Sequence, residues 1–329
     1  MEIFKTLIGN DDIKNTLGTA VASRSFSHAY IIEGAQGTGK KTVAKLASAG
    51  ILCESNDACP CGVCRSCQRV LNDLHTDVRF FEITKVDQVR AIKQELYNSP
   101  NESDYKIYII ENAHKMNVKA QNALLISLEE PPKNVIFFLL TPNAGTLLET
   151  IRSRAQILKT SYLEKDVIFN HLKSLSRSSL SDERLEEIVV ASAGSLGYAI
   201  DLLDEEKSQE LLAKRQLALD FALDVLRDDG ESVAHMLTLS SMPREELKDL
   251  ISLSLEVLGD IMLVKKNPDA SLYFFTAKEK ALSIAKQYKM ERLCACHESF
   301  FTAISDLNMN CSSALTLMSI LTNTKKKGK

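Results

Sequence analysis

At 329 residues, 45% of them hydrophobic and 25% charged, the chain has room for two or three domains of ordinary globular composition. A single small module, a disordered chain and a collagen-like repeat are thereby excluded. The formal net charge of -3 gives the whole chain no attraction for polyanions, so nucleic acid is met only through a local patch or through basic partner subunits.

In chain order, Met1-Glu2-Ile3-Phe4-Lys5 has neither the basic opening nor the apolar run of a signal peptide. No run of about 18 uncharged apolar residues follows, so a cytoplasmic protein without a membrane partner is expected. Short apolar runs then alternate with helical patterns through residue 158, as βαβ units around a parallel sheet require. Strands are expected at Ala29–Glu33, Val78–Ile83, Lys106–Ile110 and Asn134–Leu140, with a short one near Gln156–Leu158. Ala120, Ala123, Leu124 and Leu128 have the spacing of a helix packed on one face, which Pro131-Pro132 end. The prediction for 1–158 is a doubly wound α/β domain.

Strand signals stop after Lys159. Residues 159–204 read as a small helical domain, its short helices set around the turn Ala191-Ser192-Ala193-Gly194-Ser195-Leu196-Gly197. Residues 205–329 read as an all-α domain of long amphipathic helices, exemplified by Leu247, Leu250, Ile251, Leu258, Ile261 and Met262 after the helix-starting Pro243. Cys294, Cys296 and Cys311 read as core thiols, and Thr324 to Lys329 as a frayed, solvated tail.

Gly34-Ala35-Gln36-Gly37-Thr38-Gly39-Lys40 follows the first strand and opens a helix over Lys41–Leu52, the setting of a phosphate-binding loop. Such glycines let backbone N–H groups turn toward phosphate oxygens, the helix N-terminus adds positive potential, and Lys40 reaches the terminal phosphates. The next position normally carries the Ser or Thr that holds Mg²⁺. Here it is Lys41, and Thr42 lies about 100° further round the helix, pointing elsewhere. A second element repeats the lesion: the strand Ile107–Ile110 runs into Glu111-Asn112, where an active ATPase of this type has Asp-Glu. Glu111 keeps an acid at the Mg²⁺ position, but an amide at Asn112 cannot accept the proton of an attacking water. Gly34, Gly37, Gly39, Lys40, Thr42 and Glu111 thus outline a degenerate nucleotide site, in which ATP binding is left open.

Five of the eight cysteines fall between Cys53 and Cys67, which in a reducing compartment argues for metal over disulfides. Cys61, Cys64 and Cys67 have two-residue gaps, and Cys53 completes a tetrahedral S₄ set for structural zinc. Cys59 is the spare and an alternative to Cys53; a disulfide or an iron–sulfur cluster are the competing uses.

The run Asn122-Ala-Leu-Leu-Ile-Ser-Leu-Glu-Glu-Pro-Pro132 resembles a segment of bacterial AAA+ clamp-loader subunits. Ile8-Gly9, His28-Ala29-Tyr30, the cysteine cluster and Ser153-Arg154 echo the same family over residues 8 to 158. The resemblance implies an AAA+ P-loop domain (1–158, zinc module at 53–67), a small helical lid (159–204) and an all-α oligomerising collar (205–329). It implies a pentameric hetero-oligomeric ring with motor (tau/gamma) and delta subunits of DNA polymerase III, acting on a sliding clamp and primed DNA. Lys41, Asn112 and Tyr198, the last where motor subunits place an Arg, point to a non-hydrolysing member. Arg154 matches the Ser-Arg-Cys motif with Ala155 in place of Cys, which implies an arginine finger reaching a neighbour's ATP. The alternatives are an ATP-hydrolysing motor subunit and a zinc nucleic-acid module; the latter expects aromatic and basic interleaving that Cys53–Cys67 lacks.

Overall fold

The computed structural model describes residues 7–55, 60–175, 180–227, 236, 238–268, 270, 272, 274–275, 277–309 and 311–327. Contacts divide the chain into two compact units: 1–168 with 194–198, and 169–193 with 199–329.

The first unit is built on five parallel strands, β1 (Ala29–Glu33), β2 (Val78–Glu82), β3 (Lys106–Glu111), β4 (Val135–Thr141) and β5 (Gln156–Lys159), in the order β2-β3-β4-β1-β5. All five expected strands are present, with ends shifted by one residue in places. β4 is buried along its whole length and β1 nearly so, which explains continuous apolar runs where alternation would mark a solvated face. Side chains still alternate between two cores. Tyr30 and Ile32 of β1 and Phe138 of β4 face one side, with α1 (Asp11–Ala22), α2 (Lys40–Ile51) and α3 (Arg65–Leu71). Ala29, Ile31, Tyr108 and Phe137 face the other, with α4 (Val86–Leu96), α5 (Val118–Glu129) and α6 (Glu149–Arg152). Stacked Tyr30–Phe138 and Tyr108–Phe137 rings, at centroid distances of 5.2 and 5.6 Å, key the two layers. β1 lies between β4 and β5, so the loop after it leaves the sheet where the strand order reverses, the place where open α/β sheets take ligands.

The remaining helices include α7 (Lys165–Leu175), α8 (Asp182–Ala191), α9 (Leu196–Asp201) and α10 (Glu205–Arg227). Long helices follow at Arg244–Lys266, Lys278–Gln287, Met290–Asn308 and Ser313–Lys327. Pro243 stands at the N-cap of the first of these, where its missing N–H costs nothing. Their core contains a Phe221–Phe300 stack at 5.2 Å and the expected Leu247, Leu250, Ile251, Leu258 and Ile261. Buried Asp260 accepts from the N–H groups of Phe274 (2.6 Å) and Phe275 (3.0 Å), and Arg215 donates to the Phe274 carbonyl.

Two expectations fail in this unit. Cys296 is buried, but Cys294 and Cys311 are exposed, because the inward stripe of Met290–Asn308 runs through Leu293, Cys296 and Phe300, and Cys311 lies past the helix end. The tail is not frayed from Thr324: the last helix continues through Lys327, and buried Thr324 offers its carbonyl to Arg292 Nη1 at 2.6 Å. Lys329 lies outside the described residues.

Candidate functional site

The loop between β1 and α2 turns on two glycines in the left-handed region, Gly37 (φ 75°) and Gly39 (φ 90°), a conformation that costs a side chain about 1–2 kcal/mol. Space forbids side chains as well. A Cβ on Gly34 would stand 1.8 Å from Thr160 Oγ1, and one on Gly37 2.1 Å from Ser195 Oγ. The Gly194–Tyr198 turn is packed on this loop: Gly197 N–H donates to the Gly37 carbonyl (2.9 Å) and Ser195 Oγ–H to that of Gln36 (3.1 Å).

The cations of the loop are engaged by the protein itself. Lys40 Nζ donates to the carbonyls of Gly34 and Ala35, both at 2.7 Å, and burial lowers its pKa. Lys41 Nζ lies 2.6 Å from Glu111 Oε1 and 4.9 Å from the centre of the Phe80 ring. The ammonium therefore engages Glu111, the acid expected from the sequence at the metal position. Thr42 is exposed. Asn112, itself left-handed at φ 50°, donates from Nδ2 to Glu82 Oε1 at 3.0 Å. Hydrogen bonds from Lys115 and Asn112 hold the Glu82 carboxyl below its ordinary pKa.

Arg154 follows α6 at the sheet's β5 side. Its Nη1 donates to the Thr150 carbonyl (2.9 Å) and to Ser153 Oγ (3.2 Å), while Nη2 lies 2.9 Å from Glu129 Oε1. The side chain is 37% exposed, so it is anchored and still reachable.

Cys53, just after α2, and Cys61, Cys64 and Cys67 bring their four sulfurs within 4.8 Å of one another. Cys64 caps α3, accepting from Cys67 N–H at 3.4 Å, and Cys61 Sγ accepts from Cys64 N–H at 3.3 Å. Burial pushes the Cys61 thiol up, but the N–H groups of Cys64 and Val63 and the neighbouring sulfurs outweigh it and bring it down to about 7. Burial raises Cys67. Zinc with bonds of about 2.3 Å takes four thiolates from a compact cluster, and four sulfurs within 4.8 Å of one another, with no other ligand type among them, fit that ion. Cys59 lies outside the described residues.

A family model described as "DNA polymerase III, delta subunit" matches residues 9–164. Among curated relatives, the DNA polymerase III subunit gamma of Buchnera aphidicola (Schizaphis graminum) is 30% identical over 254 residues, covering 74% of this chain and 69% of that protein. The chain belongs to the bacterial clamp-loader family. The subunit tau of Bacillus subtilis is 29% identical over 276 residues, 80% of this chain but 47% of its own length. The delta-prime subunit of Bacillus subtilis is 35% identical over 206 residues, 61% of each chain. Within the clamp-loader family of AAA+ proteins involved in DNA replication, this member resembles delta-prime.

The fold brings the predicted residues of this clamp-loader subunit into three groups: Gly34, Gly37, Gly39, Lys40 and Glu111 around the loop, Arg154 beside α6, and the four cysteines between α2 and α3. Thr42 joins none of these. Sequence reasoning missed Glu82, Glu129 and Ser195 as partners of Asn112, Arg154 and the Gly37 loop. Glu129 had a signal, since it lies in the family segment; it faces solvent, as the helix pattern alone implies, and the fold adds its ion pair to Arg154. Among the described residues no helix is long and apolar enough to cross a membrane.

Proposed function

We propose that this chain is a delta-prime-type ring subunit that does not hydrolyse ATP and completes the ATP site of a neighbouring motor subunit. The observation that carries the reading is the Lys41–Glu111 pair at 2.6 Å. A divalent ion at a phosphate loop needs a hydroxyl and an acid; here the hydroxyl is replaced by an ammonium that binds the acid. The water-activating position is an amide turned to Glu82. Lys40, which reaches phosphate in a working site, spends its protons on loop carbonyls.

Arg154 supplies what the chain contributes to hydrolysis. Its planar fork suits the charge spread over a γ-phosphoryl group, and such a finger is worth about 10³–10⁵ in rate. In this reading residues 1–158 form the AAA+ domain, 159–204 the lid and 205–329 the collar. The partners are tau/gamma motor and delta subunits in a five-membered cytoplasmic ring that loads a sliding clamp onto primed DNA. Cys53, Cys61, Cys64 and Cys67 would hold a structural zinc ion, which when bound orders the Cys53–Cys67 segment.

The test has two arms. The isolated chain with Mg²⁺ and ATP should show hydrolysis at background, and turnover by it would favour the motor reading. In the reconstituted complex, Arg154→Ala and Arg154→Lys should assemble yet lose DNA- and clamp-stimulated hydrolysis at one motor site. Wild-type hydrolysis and loading by both variants, or a defect confined to Arg152→Ala, would overturn the assignment.

A further inference from the structure

Glu129 and Glu130 close α5, with Glu129 its last residue and Glu130 its C-cap. Helix energetics do not account for them. The C-terminus carries partial negative charge, acids there are disfavoured, and the last turn of α5 holds no basic residue. The two acids nonetheless have different fates. Glu129 Oε1 lies 2.9 Å from Arg154 Nη2, whereas Glu130 is exposed and has no ion pair among the described residues.

The guanidinium of Arg154 is consequently held from two elements. α6 and the turn that ends it take Nη1 through the Thr150 carbonyl and Ser153 Oγ, and the end of α5 takes Nη2. Nε–H has no partner among the described residues. An arginine side chain is long and loses much rotamer freedom on being fixed. Bonds to one turn alone constrain where Nη1 sits but let the fork swing about it; a carboxylate on a second element removes that swing. Pro131-Pro132 end α5 immediately after the two acids, which sets where the carboxylate stands.

We propose that Glu129 is a positioning residue for Arg154: its carboxylate fixes the orientation in which the fork, by its Nε side, meets the γ-phosphate of a neighbouring subunit. This rests on the reading of Arg154 as a finger in trans. The pair is 37% and 44% exposed, so its effect is modest: an exposed ion pair changes a population by about two- to five-fold.

The experiment uses the complete reconstituted complex with primed DNA, clamp and ATP, measuring kcat and KM for hydrolysis at varied ATP. Glu129→Ala should lower the kcat of the site facing Arg154 by about two- to five-fold with KM unchanged, since ground-state binding is untouched. Glu129→Gln should retain part of the rate, and Glu130→Ala should match wild type. In the Arg154→Ala background, Glu129→Ala should have no further effect. Melting separates positioning from damage: removing an acid from a helix C-terminus should leave the melting temperature of the isolated chain unchanged or raised. If Arg154→Ala is impaired while Glu129→Ala and Glu129→Gln keep wild-type kcat, this inference falls and the finger stands. A further loss in the double variant also overturns it. Wild-type hydrolysis by Arg154→Ala removes the finger and this role with it.

Discussion

The phosphate loop and the cysteine module leave opposite ends of α2, and they treat their polar groups in opposite ways. At the N-terminal end, Lys40 is turned onto Gly34 and Ala35, Lys41 onto Glu111 and Asn112 onto Glu82. Each charge or amide that a nucleotide and its metal would use already has a protein partner. At the C-terminal end, Cys53, Cys61, Cys64 and Cys67 direct four like donors at one point. Sulfurs do not satisfy one another as an ammonium and a carboxylate do. The first site keeps the left-handed glycines of a phosphate-type loop while supplying its own counter-charges, and the second has a donor set whose natural complement is a soft cation.

The largest effect should come from the cysteine module. Cys64 is at once a donor to the cluster and the cap of α3, so Cys64→Ser should abolish stoichiometric zinc and cost several kcal/mol of stability, a fraction of the about 10–16 kcal/mol that structural zinc supplies in small domains. Metal analysis and chemical denaturation check this; full zinc content in the variant would remove Cys64 from the ligand set.

Next in size is Gly37→Ala. The φ of 75° and the approach of a Cβ to 2.1 Å from Ser195 Oγ together predict a loss of about 2–3 kcal/mol. Ser195→Ala in the same background should recover only the steric share, because the backbone strain remains; equal melting of Gly37→Ala and wild type would contradict the closed loop.

Breaking the loop's charge pair should matter less. Lys41 and Glu111 side chains are 49% and 32% exposed, so Lys41→Thr should shift stability by less than about 1 kcal/mol. It should also not by itself confer ATP turnover, since Asn112 remains. Lys40→Ala should leave clamp loading by the reconstituted complex close to wild type, and a large loss there would mean that the pocket binds nucleotide after all.

The smallest effect concerns pH. His75 is buried under the module, its Nε2 3.1 Å from Ser66 Oγ and 3.2 Å from Ser103 Oγ, and burial lowers its pKa against the opposing pull of Glu102 and Asp77. Below about pH 6.5 the unfolded imidazole takes up a proton that the folded one refuses. The unfolded state then binds more protons, so stability falls as pH drops below that point and is flat in this group above it. His75→Gln should flatten that slope in melting curves between about pH 5.5 and 7.5; an unchanged slope would assign it to other groups.

How far these sites were legible depended on the range of the interactions. Glycine spacing, the strand before it and the helix after it are local, and they announced the phosphate loop. The two-residue gaps of Cys61, Cys64 and Cys67 did the same for the cysteine cluster. The replacements at Lys41 and Asn112 were visible as letters, but what those side chains do instead was not. Lys41 finds Glu111 seventy residues away, and Asn112 finds Glu82 because the β2–β3 register sets Glu82 beside Glu111.

The sequence by itself determined the class of the α/β unit, the residues that build its loop and cysteine module, and the family to which they belong, because these follow from turn chemistry, periodicity and short spacing. Tertiary structure alone decided which charges meet. It gave Lys41 to Glu111, Arg154 to Glu129 and the Gly37 loop to Ser195, and it turned Cys294 outward and folded Thr324 into a helix. The physical reason is common to all of these. Local conformation depends on a few neighbouring residues, whereas an ion pair, a steric stop or an inward face depends on strand register and on where separate helices end.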